Sequence, residues 1–143
     1  MTREEKTLRL IDLAGRLPYG VKCQFAWTYN DETTNGEDVI EREDDTLREI
    51  DMHTNDVRCD YYDEWVDVSD CIPYLRPMLS MTEEELKNYR SKQTIIFDFK
   101  NNKLYVDNCY SLDYLNSIYV DYRGLIEKGL ALKAPVDMYK NKD

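Results

Sequence analysis

Few residues of this 143-residue chain are of the types that carry out enzymatic chemistry. His53 is the single histidine, and Cys59 follows it six positions later. A nucleophilic thiol needs a base in contact with it, and this spacing along a strand and turn does not bring the two side chains together. The chain also lacks a Gly-rich phosphate loop, a Gly-x-Ser-x-Gly sequence and a His-Glu-x-x-His sequence. An enzyme with a Cys-His or carboxylate site is therefore the weakest hypothesis.

Metal binding has equally little support. The four cysteines include no Cys-x-x-Cys pair, and we expect them to be buried free thiols; they are Cys23, Cys59, Cys71 and Cys109. A segment that starts at Asp31 has the sixth-position glycine of a calcium loop in Gly36. Its twelfth position is Arg42, where calcium loops need glutamate. The sequence thus predicts no metal and no cofactor.

Carboxylates are concentrated in residues 31–70, which we call the acidic segment. It holds 16 acidic residues against three arginines, giving −13, whereas the rest of the chain has 13 acidic and 16 basic residues, giving +3. Such a segment repels phosphates, so direct binding to nucleic acid or to an anionic membrane through it is disfavoured. It is either a solvated face that keeps the protein soluble or a phosphate-like surface for a basic partner.

One stretch of the acidic segment interleaves aromatic and acidic side chains. The candidate partner-binding residues are Asp60, Tyr61, Tyr62, Asp63, Glu64 and Trp65. Tyrosine and tryptophan anchor protein interfaces, and carboxylates steer a basic partner towards them. The alternative is that the aromatic residues face the core and the acids face water.

A second candidate site would take a small nucleotide-like ligand. It consists of Tyr74, Arg76, Tyr122 and Arg123. Arginine pairs with phosphate and tyrosine stacks on bases, so the residue types fit. Both arginines could instead be structural clamps that bond backbone carbonyls, and this is the interpretation that we favour.

The elements that position these residues follow from local patterns. Helical spacing of leucines predicts a helix over residues 4–14, ending near Gly15. Short strands are predicted in VKCQFAWTYN, DVIERE, LREIDMHT, DVRCDYY and EWVDVSD. The two prolines of CIPYLRPM predict an extended or 3-10 connector.

The second half of the chain alternates helix and hairpin signals. Thr82 and Glu85 form a capping box that begins a helix. TIIFDF and KLYVD flank an asparagine-rich turn and predict a β-hairpin. Ser111 is predicted to cap the next helix, and a last short helix is predicted from Tyr122 to Gly129, followed by a frayed tail, MYKNKD.

These patterns predict an α+β fold in a single domain, residues 1–143. An N-terminal helix (1–16) precedes a β-rich acidic part (17–79), a small twisted antiparallel barrel or sheet of SH3-like size, and a helix–hairpin–helix extension (80–143). No apolar run is long enough to span a membrane, and charges interrupt the N-terminal stretch where a signal peptide is apolar. We therefore expect a cytoplasmic protein.

Three segments carry a family resemblance: RLPYGV at 16–21, IPYLRPMLSMTEEE at 72–85 and DYLNSIYVDYRGLIEKGLALKAP at 113–135. Together they resemble an abundant family of small, uncharacterised proteins encoded by phages, prophages and other mobile elements of gut Bacteroidales. Ile118 and Tyr119 stand where members often have a histidine pair, and Leu79 where serine is usual. The family has no established activity, so the resemblance implies a context rather than a mechanism.

The sequence thus predicts a non-catalytic accessory protein of a phage or mobile element. Its partner would be a host protein with a basic surface, bound through the acidic segment, with the chain acting as a nucleic-acid mimic or anti-defence factor. Binding or sequestration of a nucleotide-like ligand is the alternative. The oligomeric state has no sequence signal.

Overall fold

The computed structural model describes residues 1–30 and 32–140 and has an α+β fold, as predicted. The helices are α1 (Arg3–Arg16), α2 (Glu83–Ser91) and α3 (Cys109–Ser117). The strands are β1 (Lys22–Tyr29), β2 (Val39–Asp51), β3 (Asp56–Cys59), β4 (Val66–Asp67), β5 (Cys71–Leu75), β6 (Thr94–Asp98), β7 (Lys103–Asp107) and β8 (Leu132–Lys133). Within the described ranges, no helix has the length and apolar character needed to cross a bilayer.

Six strands form one open sheet in the order β4-β3-β2-β1-β5-β8. Neighbouring strands are antiparallel except β5 and β8, so the sheet is mixed, and it does not close into a barrel in the described part of the chain. The two strands predicted in DVIERE and LREIDMHT are one long strand, β2. Its first half pairs with β1 and its second half with β3, so β2 joins the two halves of the sheet.

The prediction of a connector at CIPYLRPM is wrong for its first half, because residues 71–75 form strand β5 inside the sheet. Cys71, Pro73 and Leu75 are buried and alternate with half-buried residues. That period of two is the signature of a strand with one face on the core. Burial of these side chains outweighs the backbone hydrogen bond that Pro73 cannot donate.

The core lies between α1 and one face of the sheet, which we call the inner face. Leu10 and Leu13 of α1 pack with Cys23 and Phe25 of β1 in one buried cluster. Cys23, Cys59 and Cys71 are buried free thiols, as expected. Cys109 is exposed at the start of α3, so the expectation of burial is wrong there.

The extension matches its prediction in α2 and in the hairpin. Thr82 and Glu85 make the reciprocal capping box, and β6 pairs with β7. Helix α3 begins two residues before Ser111, whose hydroxyl donates to the Asn108 carbonyl instead of capping the helix.

The helix predicted from Tyr122 to Gly129 is replaced by consecutive turns. The carboxylate of Asp121 accepts hydrogen bonds from the backbone N–H groups of Leu125 (2.8 Å) and Ile126 (2.9 Å). Gly124 and Gly129 adopt φ angles of 71° and 72°. These left-handed residues interrupt a helical path.

Candidate functional site

Two carboxylates of β2, those of Glu41 and Glu43, lie at the exposed end of the inner face. The register pairs Phe25 with Glu43 and Trp27 with Glu41. Residues that face each other across antiparallel strands project to the same side, so these acids share the side of the buried Phe25. Both glutamates are exposed because they lie beyond the core. The same strand turns Asp44 to the opposite side, so the acids do not form one continuous face.

The loop between β3 and β4 folds back towards these acids. The ring of Tyr62 packs against Trp27 with centroids 4.6 Å apart, and Tyr61 packs edge to face on Tyr62 at 5.1 Å. The backbone N–H of Tyr61 donates to Asp45 Oδ2 at 2.8 Å, which ties the loop to β2. Tyr61 nevertheless remains 82% exposed. The loop therefore presents a tyrosine ring beside a row of carboxylates.

Together these groups line a cleft of about 270 Å³, which we call the acidic cleft; its lining residues are Glu43, Asp44, Asp45, Tyr61 and Tyr62. The Tyr62 hydroxyl interacts with the Glu43 carboxylate, and that hydrogen bond, followed by the negative charge, raises the pKa of Tyr62 to about 12. Asp44 accepts a hydrogen bond from the Tyr74 hydroxyl at 2.7 Å. Among the residues that the structure describes, no lysine or arginine belongs to this lining. The cleft therefore has carboxylates and aromatic rings without a cation of its own.

The remaining part of the loop is held by Arg58. Its guanidinium bonds both carboxylate oxygens of Glu49, at 2.7 and 2.8 Å, and donates to Asp63 at 2.8 Å. The same guanidinium lies over the Trp65 ring, 4.8 Å from its centroid. The six residues predicted for partner binding thus fall into three groups. Tyr61 and Tyr62 line the cleft, Asp63 and Trp65 contact Arg58, and Asp60 and Glu64 are exposed.

Arg76 forms a clamp between β5 and α2. It makes a bidentate ion pair with Glu85, at 2.7 and 2.8 Å, and donates to the carbonyls of Ser80 and Ile118. The guanidinium, helped by the Thr82 backbone N–H, lowers the pKa of Glu85 to about 2. Two cavities of about 380 and 420 Å³ border this ion pair.

Tyr122 and Arg123 belong to a different cluster beneath α1, whose charged members are Asp12, Arg16 and Arg123; we call it the buried charge cluster. Arg16 donates to both oxygens of Asp12 at 2.8 and 3.0 Å, and Arg123 donates to Asp12 Oδ1 at 2.8 Å. Both guanidinium groups lie over the Tyr122 ring, at 5.3 and 4.6 Å. The four residues of the predicted nucleotide site therefore contact three separate sets of partners and do not form one site.

Neither Tyr119 nor Tyr139 was predicted from the sequence as a site residue. Their rings stack with centroids 3.7 Å apart, and Tyr139 accepts a hydrogen bond from the Lys22 N–H and donates to the Tyr74 carbonyl. Burial raises the pKa of Tyr139. The prediction of a frayed tail is thus wrong at Tyr139, while residues 141–143 lie outside the described ranges. The available signal for this pair in the sequence was that Tyr119 stands where the family that the chain resembles often has histidine.

The two residues of the Cys-His hypothesis, His53 and Cys59, lie in different environments. His53 is exposed in the β2–β3 turn, whereas Cys59 is buried. Burial raises the pKa of Cys59, so its thiol is a poor nucleophile at neutral pH. Asp31, the start of the calcium-like loop, lies outside the described residues. Elsewhere in the described chain, no three His, Cys, Asp or Glu side chains are grouped so that they could hold a metal ion.

Comparison with known proteins gives no relative from which a role could be transferred. The chain matches no protein-family model, no characterised protein and no solved structure. The geometry of its own side chains is therefore the basis for any functional conclusion.

Proposed function

We propose that this protein is a non-catalytic binding protein that engages a basic partner protein through the acidic cleft. The observation that carries this proposal is a strongly exposed Tyr61 ring beside the carboxylates of Glu43 and Asp45. A lysine or arginine side chain would meet carboxylate acceptors and an aromatic face at once. The resemblance of the chain to mobile-element proteins supports an accessory role against a host protein in the bacterial cytoplasm.

The size of the cleft favours a single side chain as its occupant. Sites for free small molecules have volumes of about 300–1,000 Å³, and the acidic cleft has about 270 Å³. One long basic side chain at the end of a partner's loop or helix suits this volume better than a nucleotide does. Nearby exposed acids, Glu41, Asp60 and Glu64, would steer the partner during encounter.

The spacing of the carboxylates along β2 favours binding of a single basic side chain over mimicry of an extended phosphate backbone. Alternate residues of a strand repeat about every 6.7 Å, whereas one DNA strand carries a charge about every 3.4 Å of axis. The row formed by Glu41, Glu43 and Asp45 therefore has about half the charge density of one DNA strand. Arg58 further neutralises Asp63 nearby. A nucleic-acid mimic remains an alternative form of the same proposal.

The nucleotide-ligand alternative stays a prediction with less support. Arg76 and Arg123, which would hold a phosphate, are already paired with Glu85 and Asp12. A ligand would have to displace these carboxylates, and the fully buried Asp12 has no water to replace its partner.

Binding to defined peptides tests the proposal. The probes are labelled, glycine-spaced arginine and lysine peptides, and anisotropy titrations at about 50 and 200 mM salt give the dissociation constant. Tyr61→Ala should weaken binding about three-fold or more through the lost cation–π contact. Glu41→Gln combined with Glu43→Gln should weaken it further and reduce its salt dependence.

The matched control removes the same charge elsewhere. Glu83→Gln with Glu84→Gln lies on the exposed first turn of α2 and should leave the affinity nearly unchanged. The proposal fails if the wild-type chain binds neither peptide, or if the cleft variants and the α2 control bind equally well.

A further inference from the structure

The β6–β7 hairpin has one face that is entirely apolar, which we call the outward face. The register places Ile95 opposite Val106 and Phe97 opposite Leu104, and such pairs project to the same side. The Phe99 ring extends this side by packing edge to face on Phe97 at 4.5 Å. The exposed fractions are 70% for Ile95, 43% for Phe97, 86% for Phe99, 69% for Leu104 and 47% for Val106.

The apolar face of this hairpin is exposed along both of its strands. The opposite face carries polar pairs, Thr94 with Asp107 and Asp98 with Lys103, and only Ile96 and Asp98 on that face are half-buried. A hairpin on a protein surface normally turns its polar side to water. Here the apolar side is exposed, so this side has the composition of a surface that is covered by another molecule.

The area of the outward face suits a modest protein interface. With roughly 150–250 Å² for a fully exposed large side chain, its five exposed fractions correspond to about 600 Å² per copy. Two such faces would bury up to about 1,200 Å² together, at the lower end of specific protein interfaces. A two-stranded hairpin is also marginally stable alone and gains stability when its apolar face is covered.

Charge identifies a second copy of this chain as a suitable occupant. The acidic segment carries −13, but the hairpin region from Lys92 to Asp107 has three lysines and two aspartates, so it is close to neutral. Two copies can therefore meet at the outward face without bringing their strongly charged segments into the contact. An apolar, nearly neutral face is also self-complementary, as a two-fold contact requires.

We propose that the outward face is the interface of a symmetric homodimer in which two β6–β7 hairpins pack face to face. The dimer does not depend on the binding role of the acidic cleft. It would place two acidic clefts in one assembly.

Multi-angle light scattering and sedimentation equilibrium, from about 1 to 200 µM, test the proposal. The wild-type chain should approach twice the monomer mass at the highest concentrations and dissociate on dilution. Phe97→Thr with Leu104→Thr should raise the dimer dissociation constant at least ten-fold. Ile95→Thr with Val106→Thr should do the same while keeping β-branched residues in both strands, which preserves the hairpin.

The control variant, Leu79→Thr with Val136→Thr, removes two exposed apolar side chains outside the hairpin and should dimerise like the wild type. Amide hydrogen exchange of residues 94–107 should be slower at high concentration in the wild type and in the control variant, and not in the two outward-face variants. A monomeric wild-type chain at all concentrations would overturn the proposal. A dimer that persists in both outward-face variants would also overturn it. The same holds for a monomer whose hairpin amides are protected only when phosphatidylcholine vesicles are added.

Discussion

Replacement of Asp12 by asparagine tests whether the buried charge cluster holds α1 in place. Asp12 and Arg16 are both 0% exposed, and the carboxylate accepts three charge-assisted hydrogen bonds from Arg16 and Arg123. Asparagine keeps the shape but leaves the Arg16 guanidinium buried without a counter-charge. Breaking a buried pair in this way costs about 3–5 kcal/mol. With a urea m-value of about 2 kcal/mol/M, the midpoint of unfolding followed by circular dichroism should fall by about 2 M.

Three comparison variants make this experiment decisive. Asp137→Asn removes an acid from an exposed ion pair with Lys140 and should change stability by less than about 1 kcal/mol. Arg123→Ala should cost less than Asp12→Asn, because Asp12 retains Arg16. The double change Asp12→Leu with Arg16→Met removes both charges and should also cost less. A midpoint shift below about 0.5 M for Asp12→Asn, or a double variant less stable than Asp12→Asn, would refute the reasoning.

Two further predictions concern titration and reactivity. The pKa of Glu85 is lowered from 4.5 to about 2 by Arg76, so its ionisation stabilises the fold above pH 4.5 and this contribution is lost as the pH falls from about 4.5 to about 2. Glu85→Gln should flatten the dependence of urea midpoints on pH in that window, and an unchanged slope would contradict the assignment. Cys109 is the exposed thiol and the other three are buried. Ellman's reagent should therefore modify one thiol rapidly in the native chain and all four in urea, whereas two rapid equivalents would show that a core thiol is accessible.

Local patterns predicted the elements whose stability is local. The capping box of Thr82 and Glu85, the alternation of Cys23 and Phe25 in β1, and the β6–β7 hairpin all involve residues close together in sequence, and the structure contains each of them. Strand β5 was not predicted because Pro73 disfavours a strand locally, and only the burial of its face against the core compensates.

The turns at residues 121–130 have a similar origin. The sequence YRGLIEKG has helical spacing, but the Asp121 carboxylate accepts from the N–H groups of Leu125 and Ile126, which a helix would instead bond to the carbonyls four residues earlier. The sequence allows Asp121 to make these hydrogen bonds, but it allows a helix equally well and does not decide between the two.

The sequence predicted the residue types of the candidate site but not which of these residues lie together. The sequence pointed to acids and aromatics near residues 60–65, and Tyr61 and Tyr62 do line a cleft with acids. Which acids share their side depends on the register between β1 and β2, and the role of Arg58 depends on the bend that brings Glu49 and Asp63 to it. Neither follows from residue spacing.

The arginines of α1 have consequences for the order in which the chain folds. Arg9 donates to the Leu130 carbonyl across 121 residues, and Arg16 donates to the Val120 carbonyl across 104 residues. During synthesis α1 leaves the ribosome well before these partners do, and closing such long loops slows folding. The hydrogen bonds by which Arg9 and Arg16 fix α1 to residues 120 and 130 can therefore form only late in synthesis. Until then α1 has only its apolar contacts with β1 and the strands that follow, and a chain stalled before residue 120 should be a substrate for chaperones that bind apolar segments.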